Sequence, residues 1–214
     1  MNEHKKTFYK NQAESIIKKL QLRKMEGYYC PDTESAKAKI LELIGQTVLP
    51  KTVSYGGSMT IDEMGIKEDI AAAGHKLIVR ENASTDEERK QMNAEIINSD
   101  VFLMSTNAIT LDGELINIDG RGNRVSFLIY GPEEVIVVAG MNKVVSSREE
   151  GIDRVRNFAS PPNTVRLNRD TPCANTGRCG NCIQDSICCQ IVVTRASMIP
   201  GRIKVILVGE ELGY

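Results

Sequence analysis

Five of the chain's six cysteines fall in "TPCANTGRCGNCIQDSICCQ", residues 171–190. Thiolates are soft ligands. The spacing Cys173-x5-Cys179-x2-Cys182-x5-Cys188 puts four of them within one short segment, matching the donor sets of structural zinc and of iron–sulfur clusters. In Cys179-Gly-Asn-Cys182 the two intervening residues let both sulfurs face one site, and Gly180 relaxes the turn. The remaining spacings differ from a bacterial ferredoxin run. The same Cys-x2-Cys pair is also a redox motif, but no thioredoxin-like βαβ pattern precedes it. A metal site is therefore the leading reading, with iron–sulfur and zinc both open. Reduced packed thiols and a disulfide switch are the alternatives. Adjacent cysteines rarely ligate one ion together, so Cys188 is the expected fourth ligand and Cys189 the spare, with the reverse assignment open. Thr171, Thr176 and the amides near Gly177 and Gly180 are placed to hydrogen-bond the sulfurs. Cys30, in "GYYCPD", stands apart and reads as a packed residue.

Two further segments could hold a ligand. In "SYGGSMT" (54–60), Gly56 and Gly57 permit positive φ and close backbone approach. The following amides, with the Ser58 and Thr60 hydroxyls, could receive an anion at a helix N-terminus; a bare strand-to-helix turn accounts for the glycines equally well. Neither a P-loop nor a dinucleotide fingerprint is present. "STNAITLDGELINIDGRGNRV" (105–125) places Asn107, Asp112, Asn117 and Asp119 at expected strand ends. Each taken singly suits turn duty; together they are expected to converge on the Gly-Gly-Ser loop. Lys143, in "GMNKVV", could reach an anion from the carboxyl edge of a sheet, or simply face solvent. The ligand-binding set is thus Gly56, Gly57, Ser58, Thr60, Asn107, Asp119 and Lys143. Of the two histidines, His4 lies in a frayed end and His75 opens a strand, where it reads as structural.

The elements that must position these residues alternate. Apolar periodicity predicts helices over about 5–25 and after Asp32-Thr33. Capping boxes at Thr60/Glu63 and Thr85/Glu88 predict helices from about 61 and over 86–98. A further helix is expected in "NRVSFLIYG", and another from Ser146 or Ser147 to about Ala159, broken by Pro161-Pro162. Strands are expected at 51–55, 75–80, 100–105, 114–119 and 133–140, and in "CQIVVTR" and "RIKVILVGE". The Val/Ile run at 133–140 suits a strand buried on both faces of a parallel sheet. The closing strands either extend that sheet or pair as an edge hairpin. The expected organisation is one domain: a helical pair over 1–50, an α/β core over 51–160, the cysteine-rich segment at 171–190 and closing strands at 190–214.

With 214 residues, 41% hydrophobic and 26% charged, the chain can bury a core without disulfide staples. A net charge of −1 and the absence of a basic stripe argue against a nucleic-acid surface. No apolar run reaches the roughly 20 residues that span a bilayer, and the polar N-terminus lacks a signal-peptide core. A cytoplasmic protein is expected, where isolated disulfides are disfavoured.

"SYGGSMTIDEMGI", "STNAITLDGELINIDGRGNRVSFLIYGPEEVIVVAGMNKVV" and "VRNFASPPNTVRL" together resemble the LUD-domain (lactate-utilisation) family, most of all its shorter clostridial-type branch with a cysteine-rich tail. The resemblance implies a three-layer α/β/α sandwich with a mostly parallel sheet, like that of ribose-5-phosphate isomerase, CoA transferases and 5-formyltetrahydrofolate cyclo-ligase. It also implies a link to lactate-oxidising iron–sulfur enzymes, which favours a 4Fe–4S cluster over zinc. In the family pattern one cysteine occupies the position of Cys188, and Cys189 is an addition. Where sugar-phosphate isomerases use an aspartate as acid/base, this chain has Asn107, an amide that cannot take and return a proton. CoA transferases use a glutamate nucleophile; Glu63 and Glu114 are the nearest here. The expected function is accessory to oxidation of lactate or a related 2-hydroxy acid; an independent isomerase or transferase, or a ligand sensor, is the alternative. Expected partners are a small anionic ligand, iron–sulfur oxidoreductase subunits and a second copy of the chain as a homodimer, with no nucleic acid and no membrane.

Overall fold

A computed structural model of the chain describes residues 1–45 and 49–214. Its elements, in order, are α1 (Glu3–Leu22), β1 (Glu26–Cys30), α2 (Thr33–Ile44), β2 (Thr52–Tyr55), α3 (Met59–Met64), α4 (Ile66–Ala72), β3 (Lys76–Ile78), α5 (Asp86–Ile97), β4 (Val101–Ser105), β5 (Ala108–Thr110), β6 (Leu115–Asp119), α6 (Asn123–Ile129), β7 (Glu134–Gly140), β8 (Val144–Val145), α7 (Arg148–Arg154), α8 (Ser160–Arg166), α9 (Pro172–Thr176), β9 (Gln190–Thr194) and β10 (Ile203–Val208).

Six strands form one sheet in the order β1-β10-β7-β4-β2-β3, parallel throughout. Alternation along each strand divides the core into two halves. Val135, Val137, Val205 and Leu207 face Tyr9, Ala13, Ile16 and Leu20 of α1, together with side chains of α5 and α6. Ile136, Val138, Ile206 and Val208 face α2, α3 and α4. The result is a three-layer α/β/α sandwich. The helix over 86–98 appears at Asp86–Ile97 with both bonds of the Thr85/Glu88 capping box in place.

Several elements depart from the expectation. The N-terminal helical pair is not a separate preface, because β1 runs between its helices and pairs with β10 at the sheet edge. Cys30 ends that strand, buried. The expected cap at Thr60 is instead Ser58, whose hydroxyl accepts from the Ile61 amide at 3.4 Å. Gly65, at φ +64°, ends α3 after six residues and starts α4. Pro161 and Pro162 do not break the helix that precedes them. They occupy the first turn of α8, where an amide hydrogen is least needed, and a π-helical turn over Val155–Ala159 joins α7 to α8.

The closing strands neither pair with each other nor share a sheet. β10 enters the middle of the parallel sheet, while β9 joins a second, four-stranded sheet in the order β8-β5-β6-β9. Ala108, Ile116, Ile118 and Val145 of that sheet pack on Val155 and Ala159 of the π turn, forming a third, smaller core. Among the described residues no helix is long and apolar enough to cross a membrane.

Candidate functional site

Open parallel sheets present ligands with a crevice beyond the carboxyl ends of their strands. A cleft of about 640 Å³ lies there. The end of β2 contributes Gly57, Ser58 and Thr60, and the end of β4 contributes Ser105, Thr106 and Asn107. Lys143 follows β7 in a short 3-10 turn, Met141–Lys143. The small sheet adds Ile118 and Asp119; the π turn and α8 add Val155, Ala159, Ser160 and Asn163. Ser186, Ile187 and Cys189, from the cysteine-rich segment, complete the wall.

Six of the seven expected ligand residues, all but Gly56, line this cleft. Their roles differ from expectation. Neither Gly56 nor Gly57 adopts positive φ. A Cβ on Gly56 would stand 3.1 Å from Arg124 Cγ and 3.3 Å from Phe102 Cζ, so this glycine makes room for the stem of Arg124. A Cβ on Gly57 would meet nothing within 4 Å, which leaves the cleft floor open there. The Ser58 hydroxyl is engaged in capping α3.

Arg124, which the sequence reading did not single out, is the hub of the site. Its Nη2 donates to Asp119 Oδ1 at 2.6 Å and to Asn107 Oδ1 at 2.8 Å, and its Nε to Asp119 Oδ1 at 2.9 Å. Its Nη1 donates to Asn117 Oδ1 at 2.5 Å and to the Ser105 carbonyl at 3.0 Å. Asp119 Oδ2 accepts from the Val125 amide at 3.1 Å, inside the first turn of α6. Asn107, Asn117 and Asp119 thus meet at Arg124; Asn107 and Asp119 line the cleft, while Asn117 and Asp112 are not among the cleft residues. The acceptors at Arg124 tie β4, β6 and α6 together. The detectable signal was an acid and an arginine five residues apart across the start of a helix, "DGRGNR".

Arginines dominate the cleft's charge. Arg80, Arg121, Arg124, Arg166 and Arg169 line it, with Asp119 the acidic side chain among its walls. The side chain of Lys143 is buried and donates to Thr60 Oγ1 at 2.8 Å and Ser105 Oγ at 3.0 Å. Burial pulls its pKa down to about 7; the Arg154 and Arg124 charges add to this, and Glu63 opposes it. Arg154, half-buried, donates to the Asn107 carbonyl at 2.7 Å and the Asn142 carbonyl at 3.1 Å, tying the loops near the lysine together. Neither candidate glutamate lines the cleft. Glu114 is buried in a bidentate pair with Arg148, at 2.6 Å to each oxygen, and Glu63 accepts from the Gly213 amide at 2.7 Å.

All six cysteines carry free thiols. Cys173 Sγ lies 3.3 Å from Thr171 Oγ1 and 3.5 Å from Thr164 Oγ1; Cys188 Sγ lies 3.3 Å from Ser160 Oγ. The Asn181 amide donates to Cys179 Sγ at 3.5 Å. The Thr176 hydroxyl donates to the Pro172 carbonyl at 2.7 Å. Burial pushes the Cys188 thiol up; Ser160 opposes this, while Cys173, Cys179 and Cys182 each add to it, so Cys188 is within electrostatic reach of all three. Among the described residues, no three or more His, Cys, Asp or Glu side chains gather closely enough to hold one metal ion. Cys189 turns the other way and donates to the Ser186 carbonyl at 3.3 Å.

A DUF162-family protein from Deinococcus radiodurans superposes with a TM-score of 0.51 at 17% identity, covering 95% of this chain and 98% of its own. Ribose 5-phosphate isomerase from Plasmodium falciparum gives a TM-score of 0.31 at 17% identity, covering 53% of this chain and 54% of its own. The eIF2B beta subunit of Chaetomium thermophilum gives 0.32 at 16%, covering 66% and 46%. No curated protein matches the chain. The LUD domain model matches residues 13–208, from within α1 to the end of β10; the chain belongs to the LUD-domain family.

Proposed function

We propose that the chain is an accessory component of lactate or related 2-hydroxy-acid oxidation in the cytoplasm, with an iron–sulfur cluster in its cysteine segment beside a cleft for a small anion. One observation carries the reading: the cysteine segment and the arginine-lined cleft share a wall through Ser186, Ile187 and Cys189. A thiol-rich tail that served packing alone would have no reason to close a cationic pocket.

The resemblance to a family linked with iron–sulfur enzymes is what favours a cluster over a single zinc, with Cys173, Cys179, Cys182 and Cys188 as its ligands. Cluster thiolates bind separate irons, and the hydroxyls of Thr164, Thr171 and Ser160 beside the sulfurs suit them as hydrogen-bond donors. Those four cysteines would hold the cluster, and when bound it would supply one-electron transfer. Oxidation of a hydroxy acid to an oxo acid releases two electrons, so a second iron–sulfur oxidoreductase subunit is the partner this chemistry calls for. Exposed Ile183 and Phe158, on the cysteine segment and the π turn that Asn157 links to the Cys179 amide, offer an apolar surface for it.

In the cleft, the arginines supply the attraction for a carboxylate, and the volume leaves room for an acid larger than lactate. Oxygen-free isolation with iron and sulfide analysis tests the proposal. Wild-type protein should carry both, and Cys179→Ser should carry neither; metal-free wild-type protein would contradict it.

A further inference from the structure

The amine of Lys143 is set up for more than holding an anion. It lies 3% exposed at the floor of the cleft, and among the described residues no carboxylate pairs with it. Both of its hydrogen-bond partners are hydroxyls, each with a backbone carbonyl as a further, longer contact. Thr60 Oγ1 donates to the Leu212 carbonyl at 3.3 Å, and Ser105 Oγ donates to the Thr106 carbonyl at 3.2 Å. Their shorter contacts, 2.8 and 3.0 Å, are those with the Lys143 amine, whose hydrogens each can accept. A neutral amine has two N–H bonds and one lone pair. With one hydrogen on Thr60 and one on Ser105, the lone pair is left free at a cleft wall. A protonated amine would instead leave a third N–H without a partner among these residues. The groups facing the amine are Arg154 from α7, Arg124 from α6 and Glu63 from α3, with the two cations outweighing the one acid. A desolvated lysine beside other cations is the environment that keeps an amine neutral and nucleophilic.

We propose that Lys143 is a nucleophile that forms an imine with the carbonyl carbon of a 2-oxo acid held in the cleft. This rests on the reading of the cleft as a site for 2-hydroxy and 2-oxo acids. The lone pair attacks the C2 carbonyl carbon, giving a carbinolamine. The carbonyl oxygen then leaves as water with the two amine hydrogens, and the nitrogen keeps a double bond to C2. No electrons are exchanged, and no co-reactant is required. The rim arginines hold the carboxylate, while Asn107 and Asp119 are engaged with Arg124.

Borohydride reduction of the whole protein in the presence of pyruvate or glyoxylate tests this. The imine becomes a stable secondary amine, read by intact mass and by peptide mapping. A single adduct on the peptide carrying Lys143 is expected, forming with a pH dependence centred near 7, and absent from Lys143→Arg. Mapping on wild-type protein keeps the test decisive even if that variant folds poorly. Adducts spread over surface lysines, or undiminished in Lys143→Arg, would overturn the inference. Thermal stabilisation by pyruvate without an adduct at Lys143 would also overturn it while leaving the cleft assignment intact. Absence of both would remove the inference and the oxo-acid cleft together.

Discussion

At the scale of single residues, the site is governed by two cations that the fold treats in opposite ways. Arg124 is fully hydrogen-bonded and paired with Asp119. Removing one member of a buried pair strands the other, at a cost of about 3–5 kcal/mol. Arg124→Ala and Asp119→Asn should each lower the urea midpoint strongly, and loss of both should cost less than the sum of the two. Lys143 has no such partner, and its folded pKa falls from 10.5 to about 7. Between those values the unfolded chain binds the proton and the folded chain does not, so this residue makes stability rise with pH across that window. Below pH 7 both states are protonated and the burial cost is felt in full. Lys143→Met should therefore be more stable than wild type at pH 6, by on the order of 4 kcal/mol. The gain should shrink steadily toward pH 10, as read by denaturation at several pH values. Arg124 escaped the sequence reading because a lone arginine after a turn carries no periodic signal. Lys143 was visible as a position, but its hydroxyl partners come from α3 and β4, distant in sequence.

At the scale of elements, the strands that read clearly were those buried on both faces, such as Glu134–Gly140. "EGYYC" did not read as a strand, because it is short and half exposed, and its only ladder is with β10, far along the chain. β5 and β8, of three and two residues, are too brief to show an alternation. The division of the closing strands between two sheets was likewise invisible, since β9 finds its partner in the hairpin strand β6 rather than in its neighbour β10. The two prolines misled for a different reason: they mark a first turn as readily as a break, and the π turn before them has no sequence signature. The end of β7 is held closely by the C-terminal segment. A Cβ on Gly140 would lie 2.6 Å from the Leu212 backbone nitrogen and 2.8 Å from the Glu210 carbonyl oxygen. Gly140→Ala should destabilise by about 1–3 kcal/mol and, by moving the turn that carries Lys143, should weaken reductive trapping of pyruvate more than its loss of stability alone accounts for.

At the scale of the whole molecule, the parallel sheet supplies the cleft, and the small sheet and π turn carry the cysteine segment to its rim. The sequence offered candidates for both chemistries, sulfur and anion, but gave no sign that they adjoin. That adjacency depends on β9 pairing with β6, which places residues 186–189 over the strand ends. It is also what the proposed two-part function requires: a site for an acid on one side of a wall and cysteines for an electron carrier on the other. The most direct measurement is the visible spectrum and the iron and sulfide content of protein isolated without oxygen. Broad absorption with iron and sulfide in stoichiometric amounts, all abolished in Cys179→Ser and retained in Cys189→Ser, is the predicted result. Colourless wild-type protein without iron or sulfide would contradict the account.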